Sequence, residues 1–467
     1  MLFNSGVFLQ FFAAFLLLYY LVRNRLMARN GLIVLASYLF YGWWDYRFLS
    51  LLVFSSLLDY AVGRALDRCT HPGHRKLWLA LSLATSLGLL GFFKYYNFFI
   101  DSAAVLLAQL GLSVEPRTLD IVLPVGISFY TFQTMSYTFD VYRRTMPATR
   151  DLLSFLAYVA FFPQLVAGPI ERASRLLPQF TKTRVITRQR LIEGTWLMIW
   201  GMFKKVVVAD NLAPLVEMVF DHPAPTGLMV ILGTVAFTFQ IYGDFSGYSD
   251  IARGLASVLG FDLMLNFNLP YTATSPRDFW RRWHISLSTW LRDYLYIALG
   301  GNRRGVWRTR FNLLATMLLG GLWHGAAWSF VLWGLWHGLG LVLTRPAQSH
   351  VPAPDRPRWR LLQWAATMLF VLYGWLLFRA GSLAHIVELT SALACWEWPT
   401  WGLSYLINLM AFSLPLALAE VWQARAGDLM TPARWLASMR ALLQGILLLA
   451  IVVFWQKEAA PFIYFQF

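Results

Sequence analysis

Histidine is the side chain whose ordinary pKa lets it take up or give back a proton near neutrality. Three of the eight histidines in this chain sit where that capacity would count. His324 lies deep in an apolar run at 317–340 (MLLGGLWHGAAWSFVLWGLWHGLG), with Gly320 and Gly321 before it and Gly325 after it, and His337 is in the same run. His284 lies in 277–301 (RDFWRRWHISLSTWLRDYLYIALGG), one turn before Ser288. A histidine in such surroundings either faces a cavity or is a satisfied core residue. Small residues around His324 leave room for a ligand and favour the cavity. The chemistry an imidazole there permits is proton transfer to or from a bound ligand. His324 and His337 are too far apart to share a helical turn and belong to no ligand motif, so no metal site is expected. His71, His74, His222, His350 and His385 read as loop or interface residues.

Four segments must position these groups. In 277–301, Trp280, Trp283, Leu287, Trp290 and Tyr294 recur at spacings of three and four, an apolar stripe on a helix. Its aromatic and basic residues suit a membrane interface or a re-entrant element. In 123–140 (LPVGISFYTFQTMSYTFD), Ser128, Thr131, Gln133, Ser136 and Tyr137 interrupt apolar sequence. They serve either interhelical hydrogen bonds or the lining of a substrate path. In 161–172 (FFPQLVAGPIER), Pro163 and Pro169 argue against a regular spanning helix, and Pro169 marks a helix end. In 241–253 (IYGDFSGYSDIAR), Asp244 and Asp250 need partners if buried, for example an arginine from a neighbouring segment, and Gly243 and Gly247 allow close backbone approach.

The surrounding chain is that of a membrane protein. Hydrophobic residues make up 58% of it and charged residues 13%, against roughly 25% charged in soluble domains. Uncharged or nearly uncharged runs at 7–22, 31–44, 48–62, 77–93, 121–139, 152–170, 192–203, 229–243, 311–343, 360–378, 402–419 and 440–455 predict about ten to twelve spans, some of them tilted, broken or re-entrant. The first run has neither a basic region before it nor a small-residue cleavage site after it and reads as a retained helix. The expectation is an all-α polytopic bundle, one membrane-embedded domain over 1–467. The net charge of +15 marks cytoplasmic loops and contact with anionic lipids, not nucleic acid. Arg23, Arg25 and Arg29, then Arg64, Arg68, Arg75 and Lys76, then the arginines of 171–190 and 277–310 place those loops, with the N-terminus outside. Cys69 and Cys395 show no CxxC or metal spacing, and no P-loop, HExxH or dinucleotide fingerprint is present.

The stretches 278–303 (DFWRRWHISLSTWLRDYLYIALGGNR) and 320–338 (GGLWHGAAWSFVLWGLWHG) strongly resemble the membrane-bound O-acyltransferase family. Matches at 123–143, 161–172 and 242–254 support this, and the resemblance runs from the N-terminus to about residue 340. Within the family the chain is similar to the bacterial branch concerned with alginate O-acetylation; other branches modify peptidoglycan or cellulose, or pass D-alanine to teichoic acids. The resemblance implies helices around a central funnel. It places the family's catalytic histidine at His324 and a second site position at His284, with His337 secondary. It further implies acetyl-coenzyme A as cytoplasmic donor, no bound cofactor, a bacterial inner-membrane location, and a periplasmic SGNH-type acetyltransferase that carries the acetyl group to a polysaccharide. Two readings from other classes stand beside it: a transporter without acyl chemistry, and a scaffold that docks a periplasmic enzyme.

Overall fold

The computed structural model describes residues 1–112, 114–166, 168–344, 357–456 and 462–463; His350 falls outside them. Among the described residues every regular element is helical. In order these are α1 (Gly6–Val22), α2 (Leu26–Gly42), α3 (Leu49–Arg68), α4 (Pro72–Leu90), α5 (Tyr96–Gln109), α6 (Ile127–Tyr142), α7 (Leu152–Ala160), α8 (Phe162–Leu165), α9 (Ala173–Phe180) and α10 (Arg188–Met202). There follow α11 (Asp210–Phe220), α12 (Gly227–Val258), α13 (Pro276–Arg282), α14 (Ile285–Trp290), α15 (Gly305–His324), α16 (Trp328–Leu343), α17 (Pro357–Arg379), α18 (Leu383–Ala392), α19 (Gly402–Ala426) and α20 (Ala437–Val453). Helix starts are set by side chains that accept from otherwise orphaned backbone N–H groups: Ser5 from Phe8, Asp151 from Ser154, Ser275 from Asp278 and Ser382 from His385.

The helical stretches Tyr46–Arg68, Pro72–Gln109, Gly227–Val258, Pro357–Arg379 and Gly402–Ala426 are long and apolar enough to cross a membrane. Gly6–Val22, Trp328–Leu343 and Ala437–Val453 are shorter apolar helices. The protein is thus a multi-pass, all-helical membrane protein. Two of the candidate runs are divided. The run at 311–343 forms α15 and α16, and 152–170 forms α7 and α8, with no further helix among the described residues before α9. Proline accounts for the latter: Pro163 is accommodated in the first turn of α8, and no helix resumes until after Pro169.

The described chain forms two compact units, one of Met1–Leu191 with Leu255–Leu263, the other of Ile192–Gly254 with Met264–Phe467. In the first, polar side chains inside apolar helices find internal partners, as a medium without water demands. Fully buried Arg29 donates to the carbonyls of Lys182 (2.9 Å) and Phe180 (3.3 Å). Asp59 of α3 accepts from Ser82 of α4 (2.5 Å) and Thr138 of α6 (3.2 Å). Gln133 on α6 donates to the Tyr158 carbonyl at 2.8 Å, and Tyr137 accepts from the Thr149 amide at 3.2 Å. For Gln133, interhelical bonding is the reading the structure supports; Tyr137 bonds to the chain between α6 and α7.

The second unit holds all three histidines of interest. Its tightest helix pair is α15 against α16. A Cβ placed on Gly321 would strike the Phe330 carbonyl oxygen, and one on Gly334 the Met317 carbonyl oxygen. Backbone thus meets backbone at the crossing, which only glycine permits. This contact fixes His324, at the end of α15, relative to Trp333 on α16. Gly334→Val is expected to destabilise the protein by about 1–3 kcal/mol through overpacking, seen as a lower melting temperature in detergent. An unchanged melting temperature would contradict the close contact.

Candidate active site

The segment 277–301 is not the continuous helix its stripe of aromatics suggests. α13 stops at Arg282, His284 adopts a left-handed conformation (φ 42°, ψ 54°), α14 restarts at Ile285, and a π-helical turn follows over Leu291–Tyr296. A non-glycine residue in that region is strained by about 1–2 kcal/mol, so something must hold it. Holding is done by 266–268, which runs alongside: the Ile285 amide donates to the Asn266 carbonyl (2.9 Å), and the Asn268 amide to the Arg282 carbonyl (2.9 Å). Trp283, Leu287, Trp290 and Tyr294 of the stripe are buried, while Trp280 is partly exposed.

The side chain of Asn266 completes the anchor. Its Oδ1 accepts from the backbone amide of Ser286 (3.2 Å) and from the Ser286 hydroxyl (2.9 Å), and its Nδ2 donates to Ser249 Oγ (3.1 Å). A backbone N–H can only donate, so the carboxamide orientation is fixed. His284 Nδ1 lies 3.1 Å from the same Oδ1 and must therefore carry the hydrogen. In the neutral ring the lone pair is then on Nε2. His284 is fully buried, with Phe245 edge-on at 4.6 Å between ring centroids.

His324 is the last residue of α15; extended Gly325 ends the helix. Its ring centroid is 6.4 Å from that of His284. Trp333 (4.9 Å), Trp323 (5.1 Å) and Phe378 (5.4 Å) surround it. His337 stands on the far side of Trp333 at 4.7 Å. Its Nδ1 accepts from the indole N–H of Trp280 (3.3 Å), so its hydrogen is on Nε2 and the ring serves as a fixed acceptor for Trp280. Of the three sequence-derived positions, the structure brings His284 and His324 within 6.4 Å of each other, and His337 holds Trp280, which lines a cavity.

That cavity, about 530 Å³, is lined by apolar Leu291, Ile297, Leu313, Met317 and Leu341, by Trp280, and by Arg277 and Arg292. His284 and His324 are not in its lining; Trp280 is, and it packs edge-on against Trp333 at 5.6 Å. Among the other histidines, His71 and His222 lie in loops, and His74 and His385 sit in first helical turns.

The carboxylates of 241–253 pair with lysines where an arginine was expected. Asp244 pairs with Lys205 (2.7 Å), which also meets Asp210 (2.8 Å). Asp250 pairs with Lys204 (2.6 Å) and, in addition, Arg253 (3.2 Å). Gly243 and Gly247 sit where a side chain would press on the Lys204 and Gly201 carbonyls, as close backbone approach requires. Sequence reasoning passed over Lys204, Lys205, Asn266 and Trp333. Two adjacent lysines inside an apolar run were a usable signal; a lone asparagine among turn residues was not.

A family model for the membrane-bound O-acyltransferase family matches residues 142–384. The chain belongs to that family, and it is an O-acyltransferase. It is 41% identical to a probable alginate O-acetylase of Pseudomonas putida over 100% of both chains, and 45% identical to one of Pseudomonas aeruginosa over 87% of this chain and 77% of that one. It is also 35% identical to a peptidoglycan O-acetyltransferase of Helicobacter pylori, over 84% and 80% respectively.

Asn266→Ala frees the His284 ring and is expected to lower acyl transfer by about 10²-fold without loss of folded protein. Asn266→Asp keeps the acceptor for Nδ1–H and is expected to retain more activity than the alanine variant. Equal activity in both, measured by initial rates, would contradict the anchoring role.

Proposed function

We propose that this O-acyltransferase moves acetyl from acetyl-coenzyme A, entering from the cytoplasmic side of a bacterial inner membrane, toward O-acetylation of an exopolysaccharide, alginate in the first place. The observation that carries the reading is the histidine pair: His284 with its lone pair on Nε2, and His324 at a helix C-terminus with its ring centroid 6.4 Å away, among aromatic rings. The polymer assignment is supported by the relatives at 41–45% identity, which are probable alginate O-acetylases; peptidoglycan is the alternative suggested by the relative at 35%.

In the proposed step a hydroxyl oxygen attacks the acetyl carbonyl carbon. His324 takes the hydroxyl proton as the C–O bond forms. The C–S bond breaks, and the imidazolium returns its proton to the departing thiolate, so charge and protons balance. Neutral His284 presents a lone pair and no N–H at Nε2. It therefore cannot polarise the carbonyl, which needs a donor, and, because the hydroxyl's one hydrogen goes to His324, it suits accepting from an N–H of the incoming acyl donor. The low-dielectric enclosure strengthens both interactions. The cavity beside Trp280 has Arg277 and Arg292 in its lining, the latter paired with Asp293 (2.6 Å), together with apolar side chains and the polar Ser288, Tyr296, Asn302 and Thr316, a mixture that suits an anionic acyl thioester. The acceptor hydroxyl belongs to a carrier or to a periplasmic SGNH-type acetyltransferase that completes transfer to the polymer.

In liposomes with radiolabelled acetyl-coenzyme A on the cytoplasmic face, His324→Ala is expected to lower covalent transfer by about 10²–10⁴-fold while the protein stays folded. Wild-type rates in that variant would refute the assigned role, and label crossing unreacted would point to a transporter. Arg277→Ala is expected to raise KM for the donor several-fold with little change in kcat. An unchanged KM would remove the cavity from the donor's path.

A further inference from the structure

Behind His284, on the side of Phe245, lies a cluster that the acyl-transfer step does not use. Asp244 is buried on α12 and holds two partners at once: its Oδ1 meets Lys205 Nζ (2.7 Å), and its Oδ2 accepts from the backbone amide of Ile463 (2.6 Å). Lys205 is itself shared with Asp210 (2.8 Å) and lies over the Tyr248 ring at 5.7 Å. The residue before Ile463 is Phe462, wholly buried, with its ring 4.4 Å from Tyr248 and 5.9 Å from Phe245. Phe245 in turn stands edge-on to the His284 imidazole at 4.6 Å, with an interplanar angle of 88°. A segment nearly two hundred residues away in sequence is thus fastened by a charge-assisted hydrogen bond, and its aromatic ring backs the residue that touches His284.

We infer that Phe462 is a positioning residue: latched through Ile463 to Asp244, it holds Phe245 against His284 and closes that flank of the imidazole to water. Anchoring through Nδ1 leaves the ring able to tilt about its own axis, and Asn266 alone does not restrain that motion. The edge of Phe245 does, provided that Phe245 has no space to retreat into. In a close-packed interior the vacated volume of a phenylalanine is room enough for such a retreat, or for water. The inference rests on the role proposed for His284, and extends the site to a part of the chain that no active-site motif covers.

The test uses full-length protein in liposomes and two readouts, steady-state acetyl transfer and carbethoxylation of histidines by diethyl pyrocarbonate, followed by mass spectrometry. His337, 1% exposed, serves as the internal control for unfolding. In Phe462→Ala, His284 is expected to react at least about tenfold faster than in wild type while His337 stays protected, and kcat is expected to fall by about tenfold or more with KM unchanged. His284 as protected as in wild type, with kcat within about twofold, would overturn the inference. If Phe462→Ala exposes both histidines, the protein has lost its fold and Phe462→Leu decides. A folded leucine variant with reactive His284 supports the inference, and one with protected His284 and full activity overturns it. His284→Ala separates the two readings: full activity there removes the catalytic role of His284, while the labelling result still decides whether Phe462 shields it.

Discussion

The carboxamide of Asn266 accepts from the Ser286 amide and hydroxyl and from His284 Nδ1, and donates to Ser249. In a water-poor interior each of these groups would be costly to leave alone, so the four interactions stand or fall together. Much of the local architecture follows from that. The chain can break between α13 and α14, and His284 can occupy a left-handed conformation, because the strain is offset by bonds that no continuous helix would make. The same bonds leave Nε2 as the lone-pair nitrogen of a ring whose centroid is 6.4 Å from that of His324.

Around this anchor the protein uses aromatic rings to place imidazoles. Trp333 stands between His324 and His337, at 4.9 and 4.7 Å. His337 takes its hydrogen on Nε2 because Trp280 can only donate, whereas His284 carries it on Nδ1. Two neighbouring histidines are thus held in opposite tautomers by different partners, one with its lone pair on Nε2 and the other as the acceptor for a tryptophan that lines the cavity. The glycine contact between α15 and α16 sets the distance at which this works. The buried ion pairs of Lys204 and Lys205 tie the carboxylates of α12 to the adjacent π-helical turn over Phe203–Ala209, a form of helix common near functional sites.

The sequence carries the class of the fold plainly, since apolar runs with few charges admit little else. It also carries the two histidines, which stand out as polar residues among small and aromatic ones. It does not carry the break at His284. The spacing of Trp280, Trp283, Leu287, Trp290 and Tyr294 satisfies a helical period, and periodicity is blind to a single residue held in a left-handed conformation by a distant asparagine. The lysine partners of Asp244 and Asp250 were missed for a related reason: proximity across helices is a tertiary fact, and an arginine and a lysine are equivalent until the backbone fixes the reach. Prolines were a better guide: they argue against a regular spanning helix at 161–172, where only the one-turn α8 forms among the described residues, because their effect is local.

The claim on which the site depends is the tautomer of His284, and it is directly measurable. Protein labelled with ¹⁵N-histidine and reconstituted in bilayers, compared with the His284→Asn variant, gives the His284 ring signals by difference in solid-state NMR. The structure requires a pyrrole-type Nδ1 and a pyridine-type Nε2 in the neutral ring, with the pattern lost in Asn266→Ala. A hydrogen on Nε2 in the wild-type protein would contradict the account, because His284 would then point a donor, not a lone pair, into the site it shares with His324.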